Sequence, residues 1–179
     1  MRKGMLSIIA VTIFAFTTTV YAFEPDTNDE MQLSVAKAIL DLKKADPGIE
    51  KFFENAYGYA VFPRVGKAGI GVGGAHGKGL VIAGDQVVGN TSLSQVTVGF
   101  QLGGQVYAQF IFFEDDVALG NFQRGNYELG AQASAVAATL GASTDANYDK
   151  GVVVFTHVGG GLMYEATISG QKFKYEAID

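Results

Sequence analysis

The chain has 179 residues, no cysteine and a formal net charge of −5 at neutral pH. The absence of cysteine excludes a disulfide framework, a thiol nucleophile, a thiolate metal site and lipid attachment to an N-terminal cysteine. The acidic balance argues against a protein that coats nucleic acid, so no nucleic-acid partner is expected.

The charge is unevenly spread along the sequence. Residues 31–78 hold seven basic and four acidic side chains, whereas residues 79–179 hold four basic and ten acidic ones. A basic segment in an acidic protein can turn one side toward an anionic surface.

The N-terminus has the features of a secretory signal peptide. Arg2 and Lys3 precede an apolar run over residues 5–16, and Val20-Tyr21-Ala22 ends the segment with a small residue. The alternative, an uncleaved membrane anchor, fits less well because a bilayer needs about 20 apolar residues. We therefore expect cleavage after Ala22, one domain over residues 23–179, and an exported protein that is periplasmic or peripheral to the cell envelope.

Two helices are predicted next. Thr27 and Glu30 form a capping-box pattern, and apolar residues then recur at helical spacing, which predicts a helix from Asn28 to Ala45. Asp46 can cap a second short helix with Pro47 in its first turn, ending near residue 56. Its two phenylalanines, Phe52 and Phe53, are expected to be core anchors.

From residue 57 the apolar period changes from helical to two. Residues 57–62 and 69–73 are predicted as two strands separated at Pro63, and Gly84-Asp85 as a hairpin turn. Residues 95–113 then alternate between apolar and polar side chains, with the glutamines on the polar side. Because the alternation keeps its phase across Gly103-Gly104, one long strand bent at these glycines is favoured over a hairpin.

The remaining sequence adds one helix and more strands. Acidic residues 114–116 start a short helix that Gly125 closes, while residues 127–143 fit helix or strand, with strand favoured. Segments 152–158, 162–168 and 171–175 are predicted as a meander. The predicted fold class is α+β: a mainly antiparallel, glycine-rich sheet that can curl toward a barrel, two N-terminal helices and one short internal helix.

No motif predicts an enzyme, a cofactor or a metal site. Gly69, Gly71 and Gly74 fit a dinucleotide-binding spacing, but a strand and not a helix is predicted after them. Residues 145–150 resemble half of a calcium loop and lack its glycine, so a polar turn is the better interpretation. The two histidines, His76 and His157, have no metal-site spacing, and His157 fits a satisfied residue of an apolar strand.

Basic side chains around the glycine-rich stretch are the candidates for function. Solvated turn charges are the alternative, but cations beside exposed glycine amides can contact a phosphate head group. Lysines of the predicted helices can extend this surface. The candidate lipid-binding residues are Arg64, Lys67, His76, Lys78, Lys37, Lys43, Lys44 and Lys51.

Several blocks, in order, also resemble the SYLF-domain family, which is also called the Ysc-type actin-binding domain family. The resemblance is carried by AYGYAVFP (56–63), GKAGIGVGGAHGKG (66–79), QLGGQ (101–105), FFE (112–114), GAQAS (130–134) and GGLMYE (160–165). The resemblance covers nearly all of the chain after the signal peptide. With its signal peptide, the chain resembles the exported bacterial members of the family.

The resemblance implies a non-enzymatic lipid-binding module. Eukaryotic members are associated with phosphoinositide membranes and, in fungi, with actin, whereas actin is not expected as a partner in a bacterial periplasm. A basic N-terminal region is linked to membrane contact in the family. Sequence and resemblance together predict binding of anionic phospholipid head groups; the alternative is a structural or assembly protein whose curled sheet binds another protein or an apolar ligand.

Overall fold

A computed structural model describes residues 23–125, 127–130, 135–158 and 168–178 of the chain. The helices are α1 (Glu30–Ala45), α2 (Glu50–Asn55) and α3 (Asp116–Gln123), and the strands are β1 (Gly58–Ala83), β2 (Gln86–Phe113), β3 (Tyr127–Glu128), β4 (Val136–Ala137), β5 (Val152–His157) and β6 (Lys172–Ala177). The predicted α+β class is confirmed. No helix in these ranges has both the length and the apolar character needed to cross a bilayer.

Helix α1 is present as predicted, but it starts at a different cap. The Asp29 carboxylate accepts hydrogen bonds from the backbone N–H groups of Met31 and Gln32 at 2.8 and 3.0 Å, so Asp29 and not Thr27 is the N-cap. An aspartate at this position satisfies donors that the helix leaves unpaired. The buried stripe of the helix is Val35, Ala38, Ile39 and Leu42.

Asp46 caps the next turn, as predicted, and also binds a distant segment. Its carboxylate accepts hydrogen bonds from the backbone N–H of Gly48 at 3.2 Å, of Gly141 at 3.2 Å and of Ser143 at 2.7 Å. Burial by itself would raise the pKa of this side chain, but the backbone donors, Ser143 foremost, outweigh burial and hold the pKa below its ordinary value. Asp46 therefore links the helical layer to the 3₁₀ turn at Ala142–Thr144.

One long hairpin of β1 and β2 forms most of the sheet. The predicted turn is confirmed, with positive φ angles of 55° at Gly84 and 64° at Asp85. The separation into two strands at Pro63 is wrong, because β1 continues through a register shift between Phe62 and Val65. A proline is tolerated at such an irregularity because the ladder there does not need its missing N–H.

Strand β2 also runs unbroken through Gly103 and Gly104, so the prediction of one long strand is confirmed. Its pairing with β1 shifts register between Gly69 and Gly71, next to the point where β1 bends back on itself. After Gly74 the chain continues as strand β1, whereas a dinucleotide site requires a helix at this place.

Glycines in the second half of β1 are covered by the first half of the same strand. A Cβ atom built at Gly79 would lie 2.2 Å from the carbonyl oxygen of Val61, and one at Gly77 would lie 3.1 Å from the carbonyl oxygen of Arg64. Such close approach between backbones leaves no room for a side chain. The sheet therefore curls into a half-barrel, and these glycines are packed against protein.

Strand β2 is the centre of the sheet. One edge pairs with β1, and on the other edge residues 89–94 pair with β6 while residues 108–113 pair with β5, all antiparallel. Two strands of the predicted meander are present as β5 and β6, which flank different halves of β2. The middle strand of the meander falls largely on residues 159–167, outside the described residues, so the meander stays a prediction.

Two short strands complete the sheet. Strand β3 pairs antiparallel with β6, and β4 pairs parallel with β5. Strand was favoured over helix for residues 127–143. The described residues of this segment form two strands of two residues each and the start of the 3₁₀ turn, and not one longer strand. Residues 131–134 of this segment are not among those described.

Apolar side chains form two cores, one on each side of the curled sheet. Under the N-terminal helices, the Phe52 ring centroid lies 5.6 Å from that of Phe112 and 5.1 Å from that of Phe155. Phe52 is buried as predicted, whereas Phe53 is only half-buried. Inside the curl, the Phe122 ring of α3 lies 5.3 Å from Phe173. Helix α3, predicted at this place, thus packs onto the inner core.

The inner face of the sheet also buries glutamines that the alternation placed on a polar face. Gln109 is fully buried and donates a hydrogen bond to Gln171 at 2.7 Å, and Gln171 donates to the Tyr107 hydroxyl at 3.3 Å. Meanwhile Val96 is 79% exposed. Burial raises the pKa of Tyr107 to about 12. Mutual hydrogen bonding lowers the cost of these polar groups in the core, although the Gln109 Oε1 atom has no hydrogen-bond partner among the described residues.

Candidate functional site

Several predicted lipid-binding lysines of the helices contribute instead to packing. The Lys43 ammonium lies 2.9 Å from the Glu50 carboxylate and 4.8 Å from the centroid of the Phe53 ring. Lys51 lies 5.0 Å from the Phe52 ring centroid and contacts the carbonyl oxygen of Thr144 at 3.4 Å. These cations are held against aromatic faces, which reduces their availability to an external anion.

The other predicted cations separate into different environments. Lys44 is exposed near the end of α1 and forms no ion pair with any described residue. Lys67 is half-buried near the bend of β1, and this partial burial lowers its pKa. The predicted set is therefore not one continuous surface, and the remaining four residues lie on two distinct parts of the sheet.

The first part is an outward-facing surface that we call the basic strand face; its residues are His76, Lys78, Ser92, Ser94, Lys172 and Lys174. Lys78 pairs in register with Ser92, which pairs with Lys174, so these three residues form one row across β1, β2 and β6. His76, Ser94 and Lys172 form the neighbouring row. With neighbouring strands about 4.8 Å apart, the two lysines of the first row are about 10 Å apart at their Cα atoms.

The charges of the basic strand face are only partly compensated. The Lys172 ammonium lies 3.7 Å from the Glu128 carboxylate, and Glu176 follows one row further along β6. Lys78 and Lys174 form no ion pair with any residue in the described ranges. Both line a groove of about 380 Å³ that Met31 of α1 borders.

An apolar end adjoins the basic strand face. Val96 lies on the same side of β2 as Ser92 and Ser94, and Val72 lies on the same side of β1 as His76 and Lys78. The two valines are 79% and 64% exposed. Exposed apolar side chains next to unpaired cations are typical of a surface that contacts a membrane interface.

The second part is a cleft between α1 and the sheet, which we call the helix groove. Its volume is about 470 Å³, and its polar and charged side chains include Ser34, Lys37, Asp41, Arg64 and His157. Lys37 donates a hydrogen bond to Asp41, and this bond is the main reason why the pKa of Asp41 lies below its ordinary value. Arg64 has no ion pair among the described residues.

Three basic residues of these sites were not in the predicted set. Lys172 and Lys174 alternate along β6, and an alternating pair of lysines on a strand indicates one charged side. Their place beside Lys78 depends on the register of β2 with two partners, which the sequence does not reveal. His157 was interpreted as a satisfied strand residue, but it is half-buried at the end of the helix groove.

The described residues offer little for a metal ion or an aromatic ligand. Within the described ranges, no group of three or more histidine, aspartate and glutamate side chains is arranged to hold a metal ion. A further cleft of about 480 Å³ includes Phe53, Tyr57 and Tyr59. The Phe53 ring there already contacts Lys43 and packs edge-on with Tyr59, so this cleft offers few free aromatic faces.

Comparison with known proteins finds a family match for part of the chain. Residues 94–176 match the sequence profile of Ysc84, described as Las17-binding protein actin regulator, and we call this stretch the Ysc84-family region. This confirms the resemblance seen in the sequence, and the Ysc84 family is one of binding domains, associated with lipid or actin binding, and not a known enzyme family. The Ysc84-family region contains Ser94, His157, Lys172 and Lys174, whereas Lys37, Arg64 and Lys78 precede it.

A relative from a bacterium extends the similarity beyond the Ysc84-family region. Beta cell expansion factor A of Aeromonas veronii is 28% identical over 156 residues, which cover 83% of this chain. The same alignment covers 59% of that relative, so the chain spans less than two thirds of its length.

Proposed function

We propose that the protein is a non-enzymatic, exported envelope protein that binds anionic phospholipid head groups through the basic strand face. The observation that carries the proposal is the row of Lys78, Ser92 and Lys174, in which two ammonium groups with no ion pair among the described residues flank a hydroxyl. The association of the Ysc84 family with lipid or actin binding supports it. The charge pattern of the N-terminal sequence supports export.

The chemistry of the basic strand face suits a layer of phosphates. Lysine ammonium and serine hydroxyl groups donate hydrogen bonds to phosphate oxygens, and each lysine near an anionic surface contributes about 1 kcal/mol. Val72 and Val96 can enter the boundary between head groups and acyl chains while the lysines stay at the phosphate level. Binding of this kind is weak and decreases with salt.

The outer face supports the proposal better than the inner face does. The inner face of the curl is filled by buried side chains that include Phe113, Phe122 and Gln109. An enclosed apolar ligand would have to displace this core, so the alternative of an apolar ligand inside the sheet has less support. A protein partner on the outer face is an outcome that the following experiment separates.

Charge reversal of the row should abolish vesicle binding. We expect Lys78→Glu combined with Lys174→Glu to weaken cosedimentation with phosphatidylglycerol vesicles at least about 30-fold, since two attractions of about 1 kcal/mol each are lost. Cosedimentation is measured at low and at physiological salt, with phosphatidylcholine vesicles as the uncharged comparison.

A Lys44 variant provides the control. Lys44→Glu changes the same charge on α1, away from the row, and should retain binding to phosphatidylglycerol vesicles. The proposal is wrong if the double variant binds like the wild type, or if Lys44→Glu alone abolishes binding, which would assign the contact to α1. Equal binding to both kinds of vesicle would exclude an electrostatic contact, whereas no binding to either kind would favour a protein partner for this face.

A further inference from the structure

We propose that the helix groove binds a single phosphate group that carries an apolar substituent. The groove is a different surface from the basic strand face: it lies between α1 and the part of β2 that pairs with β5. The inference therefore stands independently of the membrane contact proposed above.

The donors of the groove come from three elements. Ser34 and Lys37 lie on α1, one turn apart or less, Arg64 lies on β1, and His157 ends β5 beside Ala108 of β2. All of them line the same cleft of about 470 Å³. A hydroxyl, an ammonium, a guanidinium and an imidazole thus border one space, and each can donate to a phosphate oxygen.

The charge balance of the groove favours an anion. Two permanent cations, Lys37 and Arg64, face one carboxylate, Asp41, which Lys37 already holds by a hydrogen bond. Arg64 is exposed and has no ion pair in the described part of the chain. Its planar guanidinium can bind two phosphate oxygens at once, which an ammonium cannot do.

The floor of the groove indicates what is attached to the phosphate. Val106, Ala108 and Pro63 line it, and Val106 is 52% exposed, so an apolar surface lies open beside the donors. A space of this volume exceeds what one inorganic phosphate fills, and burial of Val106 by a substituent adds hydrophobic stabilisation. The shared chemistry is a phosphate ester, supplied either by a lipid head group or by a soluble organophosphate.

Titration with soluble probes tests the groove without a membrane. The full chain is titrated calorimetrically with inorganic phosphate, glycerol phosphate and dihexanoyl phosphatidic acid below its micelle concentration. We expect Arg64→Gln to weaken binding of dihexanoyl phosphatidic acid about tenfold or more, because the bidentate contact is lost. Arg124→Gln removes the same charge from the end of α3, outside the groove, and should leave this affinity unchanged.

Each outcome separates the alternatives. Tighter binding of dihexanoyl phosphatidic acid than of glycerol phosphate supports a lipid head group, and equal binding of the two supports a soluble organophosphate. Equal weakening by Arg64→Gln and Arg124→Gln, or no binding of any probe at millimolar concentration, overturns the inference. The titration with soluble probes tests only the helix groove, and vesicle binding by the Lys78 and Lys174 double variant tests only the basic strand face. Failures of the two proposals are therefore distinguishable.

Discussion

Replacing Gly79 by alanine should destabilise the fold by about 3 kcal/mol, because the new methyl group would overlap the backbone of the same strand. A Cβ atom at this position would lie 2.2 Å from the carbonyl oxygen of Val61 and 2.9 Å from its carbonyl carbon. A backbone carbonyl cannot rotate away as a side chain does, so the two halves of β1 would have to separate. Urea denaturation monitored by circular dichroism gives the free energy of unfolding.

Gly66→Ala is the matched control in the same strand. Nothing lies within 4 Å of a Cβ atom at Gly66, and its backbone is extended. Alanine should therefore leave the free energy of unfolding unchanged or raise it slightly, since it restricts the unfolded chain. Equal effects of Gly79→Ala and Gly66→Ala would contradict the fold-back of β1.

Asp46→Asn should lower the free energy of unfolding near pH 7 by about 3 kcal/mol. The buried carboxylate accepts backbone hydrogen bonds on both oxygens, from Gly48 and Gly141 on one and from Ser143 on the other. Asparagine offers only one accepting oxygen, so its amide nitrogen would meet a backbone donor and leave that donor unsatisfied.

The loss should depend on pH in a defined direction. Backbone donors hold the pKa of folded Asp46 below its ordinary value, so the stabilisation is present above the unfolded pKa of about 3.9 and is lost as the pH falls through the folded pKa. Denaturation near pH 7 and at lower pH values should therefore show the difference between wild type and Asp46→Asn decreasing in acid. Asp145→Asn, an exposed aspartate beside the same 3₁₀ turn, should change little at any pH; a constant difference for Asp46→Asn would contradict the assigned role.

Local chemistry explains which parts of this fold could be predicted from the sequence. The Asp46 cap, the Gly84-Asp85 turn and the start of α3 each depend on a few neighbouring residues, and all three are confirmed. The continuous strand through Pro63 and the fold-back of β1 depend on contacts between distant residues. Because strand pairing is non-local, the register shift at Pro63 has no signal in the local pattern. The regular glycines indicate a close approach to the backbone, but they do not identify Val61 as the partner of Gly79.

The residues of the candidate site, too, could be predicted only in part from the local sequence. His76 and Lys78 were identified because they flank glycines, but their partners Lys172 and Lys174 are brought alongside only because β2 lies between β1 and β6. Conversely, Lys43 and Lys51 fit a basic helical surface in the sequence, whereas their positions against Phe53 and Phe52 became visible only in three dimensions. A run of like charges does not specify which members pack against the core.

Paramagnetic relaxation in lipid nanodiscs tests the central claim most directly. Spin labels on the head groups of phosphatidylglycerol nanodiscs broaden the amide signals of residues that approach the membrane surface. The proposed contact predicts the strongest broadening at residues 72–78, 92–96 and 172–174, where the basic strand face and its apolar end lie. Broadening centred on residues 30–45 of α1, with β6 unaffected, would contradict it.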